Sequence, residues 1–413
     1  MDTVTRRRFL VASGVAGGTA LAAGAGAVTW TQLQRGAQSN PLATGAKVLV
    51  IVTLYGGNDG LGTVIPYADG HYHDARPDLA YKPEEVLHLD DSLGLNPSMK
   101  GIASLWKQNR VAIVRGVGYP KPDHSHFRSM DIWQTASPET PVNTGWIGRW
   151  LDASGDDPLR AIDIGNTLPP MCVGAKATAA SLAAGRDKSM PKDLAAAIDA
   201  LGKDDPADGP AAAMVCESYR AERTVAASVL PVLQATDTDD GTGAAGAGGA
   251  SAGGQGNLAA QLNMVARCIK AGVPTQVYSV SLGGFDTHAD EKGTQSAQLG
   301  QLDVAASRFL ADMAKDPVGQ GVVMLVYSEF GRRVAANASQ GTDHGTAGPV
   351  FVMGAPVRGG FYGEEPSLTD LDNGDVKGNV DFRTIYAELV HKILAADPAQ
   401  ILGTAPGKDL GFI

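Results

Sequence analysis

The sequence contains little cysteine. Only three cysteines occur in 413 residues, Cys172, Cys216 and Cys268, and their wide spacing forms no paired motif. This excludes a disulfide framework and a zinc site built from thiolates. We expect the thiols to be buried and free.

Positive charge is also scarce. The chain has 34 Lys and Arg against 44 Asp and Glu, a formal net charge of -10. An acidic surface repels a phosphate backbone, so nucleic acid is not an expected partner. The 44% hydrophobic content supports a sizeable core, which excludes disorder as the main state of the chain.

A strongly hydrophobic membrane span is missing, although a mildly apolar segment lies near the amino terminus. Residues 5–10, TRRRFL, match the twin-arginine export pattern, and a Gly/Ala-rich stretch follows at 11–28. This composition is too weakly hydrophobic for a strong span. We predict a signal peptide over 1–27, with an uncleaved anchor as the alternative, and a linker over 28–45. The twin-arginine translocase would be a partner during export to the periplasm, the cell surface or the exterior, and no stable membrane span is expected after cleavage.

In the rest of the chain, apolar runs alternate with segments of helical periodicity. Most of the runs lack polar alternation, which is typical of strands covered on both faces. The pattern predicts a single α/β domain over 46–413, with a mainly parallel central sheet and helices on both faces. Within it, the Gly/Ala-rich segment 236–256 is expected to be a flexible surface loop. The predicted strands are 47–55, 111–117, 161–165, 275–282, 321–327 and 349–354, and the predicted helices are 97–108, 127–135, 191–201, 212–233, 258–271, 297–314 and 382–395.

Acidic and histidine side chains cluster at the ends of the predicted strands, most of them just after a strand and Asp343 and His344 just before the last strand. In an open parallel sheet, ligands bind at the carboxyl ends of the strands. Histidine beside carboxylate is the ligand chemistry of zinc and related divalent metals, so several such groups together predict a metal site. The acid in the glycine-rich turn YGGNDGLG argues against a phosphate cradle there, because like charges repel. The candidate residues are Asp59, Asp123, His124, His126, Asp286, His288, Glu329, Asp343 and His344.

Two further residues have candidate catalytic roles. Ser125 precedes a predicted helix, where free backbone N–H groups stabilise an alkoxide, so it is either a nucleophile or simply the helix N-cap. Arg332 follows a predicted strand, and its guanidinium is a candidate clamp for a phosphate or sulfate group.

Several motifs together carry a resemblance to known proteins. They are TRRRFL, GGNDGLGTVIPY, DHSHFRSMDIWQT, TGWIGRWLD, GGFDTHADE, YSEFGRRV, GTDHGTAGPVFVMG and DFRTIYAEL. The chain resembles an exported bacterial family called domain of unknown function 1501, which in turn is similar to the alkaline phosphatase and sulfatase superfamily. That resemblance implies an alkaline-phosphatase-like fold with Zn²⁺, Ca²⁺, Mg²⁺ or Mn²⁺ bound at strand ends. It also implies a metal-dependent hydrolase of phosphate or sulfate esters, acting on a small anionic ester or a glycan-type substrate.

The resemblance also assigns roles to individual residues. Ser125 would be the nucleophile. Phe330 stands where the superfamily has a ligand histidine, so His124 or His126 would have to replace that ligand, and Asp290 is an alternative to His288. This departure keeps a second interpretation open, a non-catalytic exported binding or assembly factor on the same fold. The implied metal ligands are Asp59, Asp286, His288, Glu329 and His344, with Asp343 beside the last.

Overall fold

A computed structural model describes residues 30–39, 41–155, 157–165, 167–182, 257–403, 407 and 409–413. The predicted signal peptide, the predicted helices at 191–201 and 212–233, Cys216 and the glycine-rich segment 236–256 lie outside these residues.

A nine-stranded mixed sheet forms the centre of the fold. The described strands are β1 (Val48–Leu54), β2 (Val64–Ile65), β3 (Leu87–His88), β4 (Gly94–Leu95), β5 (Val111–Gly118), β6 (Ala161–Asp163), β7 (Ala180–Ser181), β8 (Val277–Leu282), β9 (Val322–Ser328), β10 (Gly348–Gly354), β11 (Gly360–Tyr362), β12 (Leu371–Asp372), β13 (Asp375–Val376) and β14 (Val380–Asp381). In the central sheet their order is β11-β5-β10-β9-β1-β8-β6-β7, and β14 also pairs with β5. β1 runs parallel to β8 and β9, whereas β10 is antiparallel to β5 and β9. The predicted mainly parallel α/β fold is therefore confirmed.

The central strand β1 shows why the sheet is buried on both sides. All seven of its residues, VLVIVTL, are buried. Val50 and Val52 pack into one hydrophobic cluster, and Leu49 and Ile51 pack into another on the opposite face. A strand with two covered faces has no polar side to alternate with, which is why the run reads as continuously apolar.

Helices cover both faces of this sheet. Helices α4 (Lys100–Lys107), α7 (Leu258–Lys270) and α8 (Glu291–Met313) supply side chains to the cluster on the Val50 face. Helices α5 (His126–Thr135), α6 (Trp146–Ser154) and α9 (Phe382–Lys392) supply the cluster on the Ile51 face. Helix α6 lacks a predicted counterpart, and α8 begins six residues before the predicted start at 297. The described helices are α1 (Trp30–Ser39), α2 (Gly60–Thr63), α3 (Gly70–Ala75), α4 (Lys100–Lys107), α5 (His126–Thr135), α6 (Trp146–Ser154), α7 (Leu258–Lys270), α8 (Glu291–Met313), α9 (Phe382–Lys392) and α10 (Pro398–Leu402).

Two of the three cysteines lie in the described part of the chain. Cys172 and Cys268 are buried free thiols, as expected. Within the described ranges, no helix is both long enough and apolar enough to cross a membrane.

The buried carboxyl group of Asp163, at the end of β6, predicts a pH-dependent stability. Burial raises its pKa to about 7, although a hydrogen bond with Ser279 acts in the opposite direction. In the unfolded chain an aspartate titrates near pH 3.9, so the folded state binds this proton more strongly. The stability that results is fully present below about pH 4 and is lost as the pH rises toward 7.

We therefore expect Asp163→Asn to be less sensitive to this pH rise than the wild type. Between pH 5 and pH 8, the free energy of unfolding of the wild type should fall by roughly 2–3 kcal/mol more than that of the variant. Urea unfolding at both pH values measures this difference. Exposed Asp78→Asn is the control, and equal pH slopes for wild type and Asp163→Asn would contradict the expectation.

Candidate metal centre

The sheet topology brings four chain segments to one edge. Because β10 is antiparallel to both β5 and β9, these two strands run in the same direction as β1 and β8. The carboxyl ends of β1, β5, β8 and β9 therefore lie at the end of the sheet where β10 begins. The segments after β5, β8 and β9 carry His126, Asp286 and Glu329, and the segment before β10 carries His344.

Three of these side chains converge. One ligand-type atom from each of His126, Asp286 and His344 lies within 4.8 Å of the other two. Asp286 Oδ1 is 3.4 Å from His126 Nε2 and 3.3 Å from His344 Nε2. Two ligands bound to one zinc ion in tetrahedral geometry, each about 2.0–2.1 Å from it, would be about 3.3–3.4 Å apart. The spacing therefore fits a shared divalent ion.

The Nε2 atom of His126 is the clearest sign of a missing partner. It is buried and makes no hydrogen bond to any described residue. A buried polar atom without a partner is costly, so such atoms are rare unless an ion or water completes the site. Two imidazoles and one carboxylate are a donor set that suits zinc and other divalent metals of mixed N/O preference. The described residues thus fit a metal ion.

The other ring nitrogen of each histidine is fixed by a hydrogen bond. His126 Nδ1 lies 2.8 Å from Glu329 Oε1, and His344 Nδ1 lies 2.7 Å from the carbonyl oxygen of His124. Both acceptors select the tautomer with a proton on Nδ1, which leaves Nε2 unprotonated, as metal binding requires. His124 is itself held by Asp375, whose Oδ2 lies 2.7 Å from His124 Nε2.

The charge state of the group follows from its neighbours. Burial acts to raise the pKa of Asp286, but the hydrogen bond and charge of Arg332 outweigh it and lower the pKa to about 2. Burial acts to lower the pKa of His126, and its bond to Glu329 outweighs this and raises the pKa. Burial lowers the pKa of His344. At neutral pH the group is therefore anionic at Asp286 and favours a cation between the imidazoles.

His288 and Asp343 lie next to this group rather than within it. His288 Nε2 is 2.9 Å from His344 Nε2 and 3.0 Å from Asp286 Oδ1, so His288 lies against both residues. Asp343 Oδ1 lies 3.5 Å from His288 Nδ1, on the far side of that ring, and its side chain is 58% exposed. His288 therefore contacts two candidate ligands, Asp286 and His344, and Asp343 contacts His288.

Asp59 is not brought to the histidines. Its two carboxylate oxygens accept hydrogen bonds of 2.5 and 2.9 Å from Arg76, and both side chains are buried. Arg76 also donates to the carbonyl oxygens of Val334 and Arg333. The predicted ligand role of Asp59 needs correction, because both its oxygens are already paired with a buried guanidinium.

Glu329 and Arg332 also differ from their predicted roles. Glu329 accepts hydrogen bonds from His126, from the Gly56 amide and from Ser328, so it orients a ligand instead of binding metal. Arg332 has a fully buried side chain that donates to Asp286 and to main-chain carbonyl oxygens. It has no face open to a substrate, so it is not available as an anion clamp.

Ser125 occupies the N-cap position of α5, and its hydroxyl makes no capping hydrogen bond. The side chain is exposed and directly precedes His126. The interpretation of Ser125 as a simple N-cap therefore lacks its defining contact.

His124 and His126 are the two candidates to replace the ligand that is missing at Phe330. The structure brings His126 close to Asp286 and His344. The centroid of the Phe330 ring lies 4.9 Å from that of His126 and 5.0 Å from that of His344.

The glycines of YGGNDGLG are explained by close backbone approach. Gly56 has φ +119°, and a Cβ there would lie 2.4 Å from the Asp286 amide nitrogen. A Cβ at Gly57 would lie 2.2 Å from the Phe330 ring. Sequence reasoning found this turn but not its partner, because Phe330 and Asp286 are more than 200 positions away in the chain.

Together, the fold and this cluster define a mixed α/β protein with a histidine and aspartate site at the carboxyl edge of its sheet. The chain belongs to the family described as "Protein of unknown function (DUF1501)", whose family model matches residues 162–412. No curated protein matches the chain.

Several solved structures are similar in fold. A Vibrio parahaemolyticus protein in the alkaline phosphatase superfamily is 10% identical with a TM-score of 0.35, covering 79% of this chain and 64% of its own. The lipoteichoic acid synthase LtaP from Listeria monocytogenes is 10% identical, with a TM-score of 0.36 and coverage of 93% and 80%. Alkaline phosphatase from the Antarctic bacterium TAB5 is 12% identical, with a TM-score of 0.35 and coverage of 84% and 97%. Similarity at this level carries no information about the site.

Replacement of Glu329 by glutamine tests its orienting role. The variant loses the charged acceptor for His126 Nδ1 but removes no metal-type ligand. We expect metal affinity to fall by about 10–100-fold, the usual effect of losing such a partner. Competition with a chromophoric chelator measures the affinity, and exposed Glu84→Gln is the matched control. Unchanged affinity in Glu329→Gln would show that His126 needs no such acceptor.

Replacement of Asp59 by asparagine separates a structural from a metal-binding role. The variant leaves the buried Arg76 guanidinium without its counter-charge, which should lower the free energy of unfolding by about 3–5 kcal/mol. The double variant Asp59→Asn/Arg76→Met should recover much of this loss. Metal content per folded molecule should stay unchanged in both, and its loss would restore Asp59 as a ligand.

Proposed function

We propose that the protein is an exported metal-dependent hydrolase of phosphate or sulfate esters. The observation that carries the proposal is the buried Nε2 of His126, which makes no hydrogen bond to any described residue and lies close to Asp286 and His344. When bound there, a divalent cation would supply Lewis-acid chemistry and lower the pKa of an oxygen that it binds.

Ser125 would supply the nucleophile. Its hydroxyl is exposed, free of a capping bond and adjacent to His126 in the chain. In the proposed reaction, Ser125 Oγ forms a bond to the phosphorus or sulfur atom as the bond from that atom to the alcohol oxygen breaks, and the alcohol leaves with the proton that Ser125 loses. Water then takes the phosphoryl or sulfuryl group from Ser125, and one proton of that water returns to Oγ. The first N–H groups of α5 have no acceptor within the helix, so they favour negative charge beside this hydroxyl. These N–H groups would bind the anionic ester in place of Arg332, whose guanidinium is buried.

The proposal that the protein is exported rests on the sequence alone. The twin-arginine motif at residues 5–10 predicts passage through the twin-arginine translocase, which carries folded and metal-loaded proteins. The proposed place of action is the periplasm, the cell surface or the exterior.

A non-catalytic binding or assembly factor is the second candidate. It is favoured by the burial of Arg332, which leaves the site without the predicted guanidinium for an anionic ester. Phe330, packed against both histidine rings, also stands where the superfamily resemblance implies a further ligand.

Metal analysis and ester hydrolysis by the purified protein distinguish the two. We expect about one divalent metal per chain, and hydrolysis of aryl phosphates or aryl sulfates that stops on chelation and returns with metal. Ser125→Ala should keep its metal and lose at least about 100-fold in kcat, while exposed Ser104→Ala should match the wild type.

Three results would contradict the proposal in different ways. Absence of bound metal would exclude the proposed metal-dependent mechanism. Equal kcat in Ser125→Ala and the wild type would show that Ser125 is not the nucleophile. A metal-loaded protein that hydrolyses neither ester class would favour the binding factor.

A further inference from the structure

A two-stranded hairpin outside the central sheet contacts three of the segments that form the candidate site. The hairpin consists of β12 and β13, which pair antiparallel across a turn at residues 373–374. The Gly374 carbonyl oxygen accepts a hydrogen bond of 3.4 Å from the Val334 amide, and the Val376 carbonyl oxygen accepts one of 2.6 Å from the Thr346 hydroxyl. These bonds hold the segments after β9 and before β10.

Asp375 supplies the contact to the third segment, the one after β5. Its side chain is only 4% exposed, and its Oδ2 accepts a hydrogen bond of 2.7 Å from His124 Nε2. Its Oδ1 has no hydrogen bond from a described residue and lies 3.4 Å from Arg333 Nε. A buried carboxylate is costly unless it is paired, so Asp375 holds both His124 and Arg333 in place.

His124 connects Asp375 to a candidate metal ligand. The His124 ring is 46% exposed, so Asp375 restrains a side chain that would otherwise be free to rotate in water. The main-chain carbonyl oxygen of His124 lies 2.7 Å from His344 Nδ1. That bond keeps the proton of His344 on Nδ1 and leaves its Nε2 as the nitrogen for a metal.

The same peptide group also fixes the start of Ser125. A peptide bond is planar, so a bond that orients the His124 carbonyl group also orients the Ser125 amide. This amide donates to Asp123 Oδ1 at 2.7 Å. The direction of one peptide plane therefore affects both the His344 ring and the position of Ser125 before α5.

We propose that Asp375 is a positioning residue of the metal centre. By holding His124, it orients the carbonyl oxygen that fixes His344 and the backbone that leads to Ser125, and it touches neither metal nor ester. The part that concerns Ser125 rests on the proposed function, whereas the part that concerns His344 depends on metal binding alone.

Zinc affinity tests the proposal without requiring turnover. Competition with a chromophoric chelator should show Zn²⁺ bound about tenfold more weakly by Asp375→Ala, as expected when the support of a ligand is lost. Asp375→Asn keeps an oxygen that accepts the His124 proton, so its affinity should lie within about threefold of the wild type. Asp372→Ala is the matched control, because Asp372 is an exposed aspartate on the same hairpin.

A double-mutant cycle shows whether Asp375 acts through His124. His124→Ala keeps the main-chain carbonyl group and removes the ring, and we expect the same loss of about tenfold in zinc affinity. Asp375→Ala should cause no further loss when it is combined with His124→Ala. Equal losses in both backgrounds would overturn the proposal, because Asp375 would then support the hairpin in general.

His124→Ala also decides the case if Asp375→Ala does not fold. The His124 ring is half-exposed, so its removal should leave the fold intact, and wild-type zinc affinity in this variant would overturn the proposal by itself.

Ester hydrolysis at saturating Zn²⁺ separates this proposal from the proposed function. We expect kcat to fall by at least about tenfold in Asp375→Ala and to stay near the wild type in Asp375→Asn. An unchanged kcat in Asp375→Ala would overturn the part that concerns Ser125. Hydrolysis by the wild type, with undiminished zinc affinity in Asp375→Ala and His124→Ala, would refute the positioning role but not the hydrolase. The expected affinities without hydrolysis of any ester would refute the hydrolase and support Asp375 as a positioning residue for the metal.

Discussion

The buried guanidinium of Arg332 holds the candidate site together. Its Nε donates to the Gly57 carbonyl oxygen at 2.7 Å, one Nη to the Thr342 carbonyl oxygen at 2.9 Å, and the other Nη to Asp286 Oδ1 at 2.7 Å. These acceptors lie on three different segments, after β1, before β10 and after β8. The Arg332 backbone also pairs with His344 in an antiparallel bridge. One residue thus fixes one candidate ligand with its side chain and another with its main chain, which a lysine with a single ammonium group could not reproduce.

The glycine-rich turn is the counterpart of that arginine. Gly56 and Gly57 present carbonyl oxygens to Arg332, and the Gly56 amide donates to Glu329 at 2.9 Å. Only residues without side chains allow Asp286 and Phe330 to come this close. The acid of this turn, Asp59, is paired with Arg76. The backbone of the turn supports both Arg332 and Glu329, and through them Asp286 and His126.

The parts of the fold that sequence predicts are those that burial determines locally. The runs that became β1, β5, β8, β9 and β10 are mostly apolar because each strand is covered on both faces, with Arg115 in β5 and Ser279 and Ser281 in β8 as polar exceptions. This property can be read without knowledge of neighbouring strands. Helix α6 was missed, although its buried Trp146 and Trp150 pack into the core. The strand-end rule likewise predicts the position of Asp286, because it depends only on strand direction. His344 reaches the same end of the sheet because β10 is antiparallel to β5 and β9.

Individual roles at the site depend on pairings that no local pattern contains. Asp59 and Glu329 both follow buried strands and both read as ligands. One is paired with Arg76, and the other accepts the Nδ1 proton of His126, more than 200 residues away in the chain. The contact between the carbonyl oxygen of His124 and His344 is even less visible, since a main-chain acceptor leaves no trace in residue type. The sequence alone therefore identifies residues of the site but not the residues that each of them contacts.

The balance of formal charges explains why the group should prefer a metal to a proton. Glu329 and Asp286 bring two carboxylates to His126, and Arg332 compensates for one of them. The remaining negative charge raises the pKa of His126, so without a metal a proton is drawn to this imidazole. His126, Asp286 and His344 would together hold a divalent ion, and His126 would give up the proton on Nε2 to do so. With the ion bound, the ion, Arg332, Asp286 and Glu329 would together carry one net positive charge, and this is the sign of charge that the anionic ester of the proposed function requires.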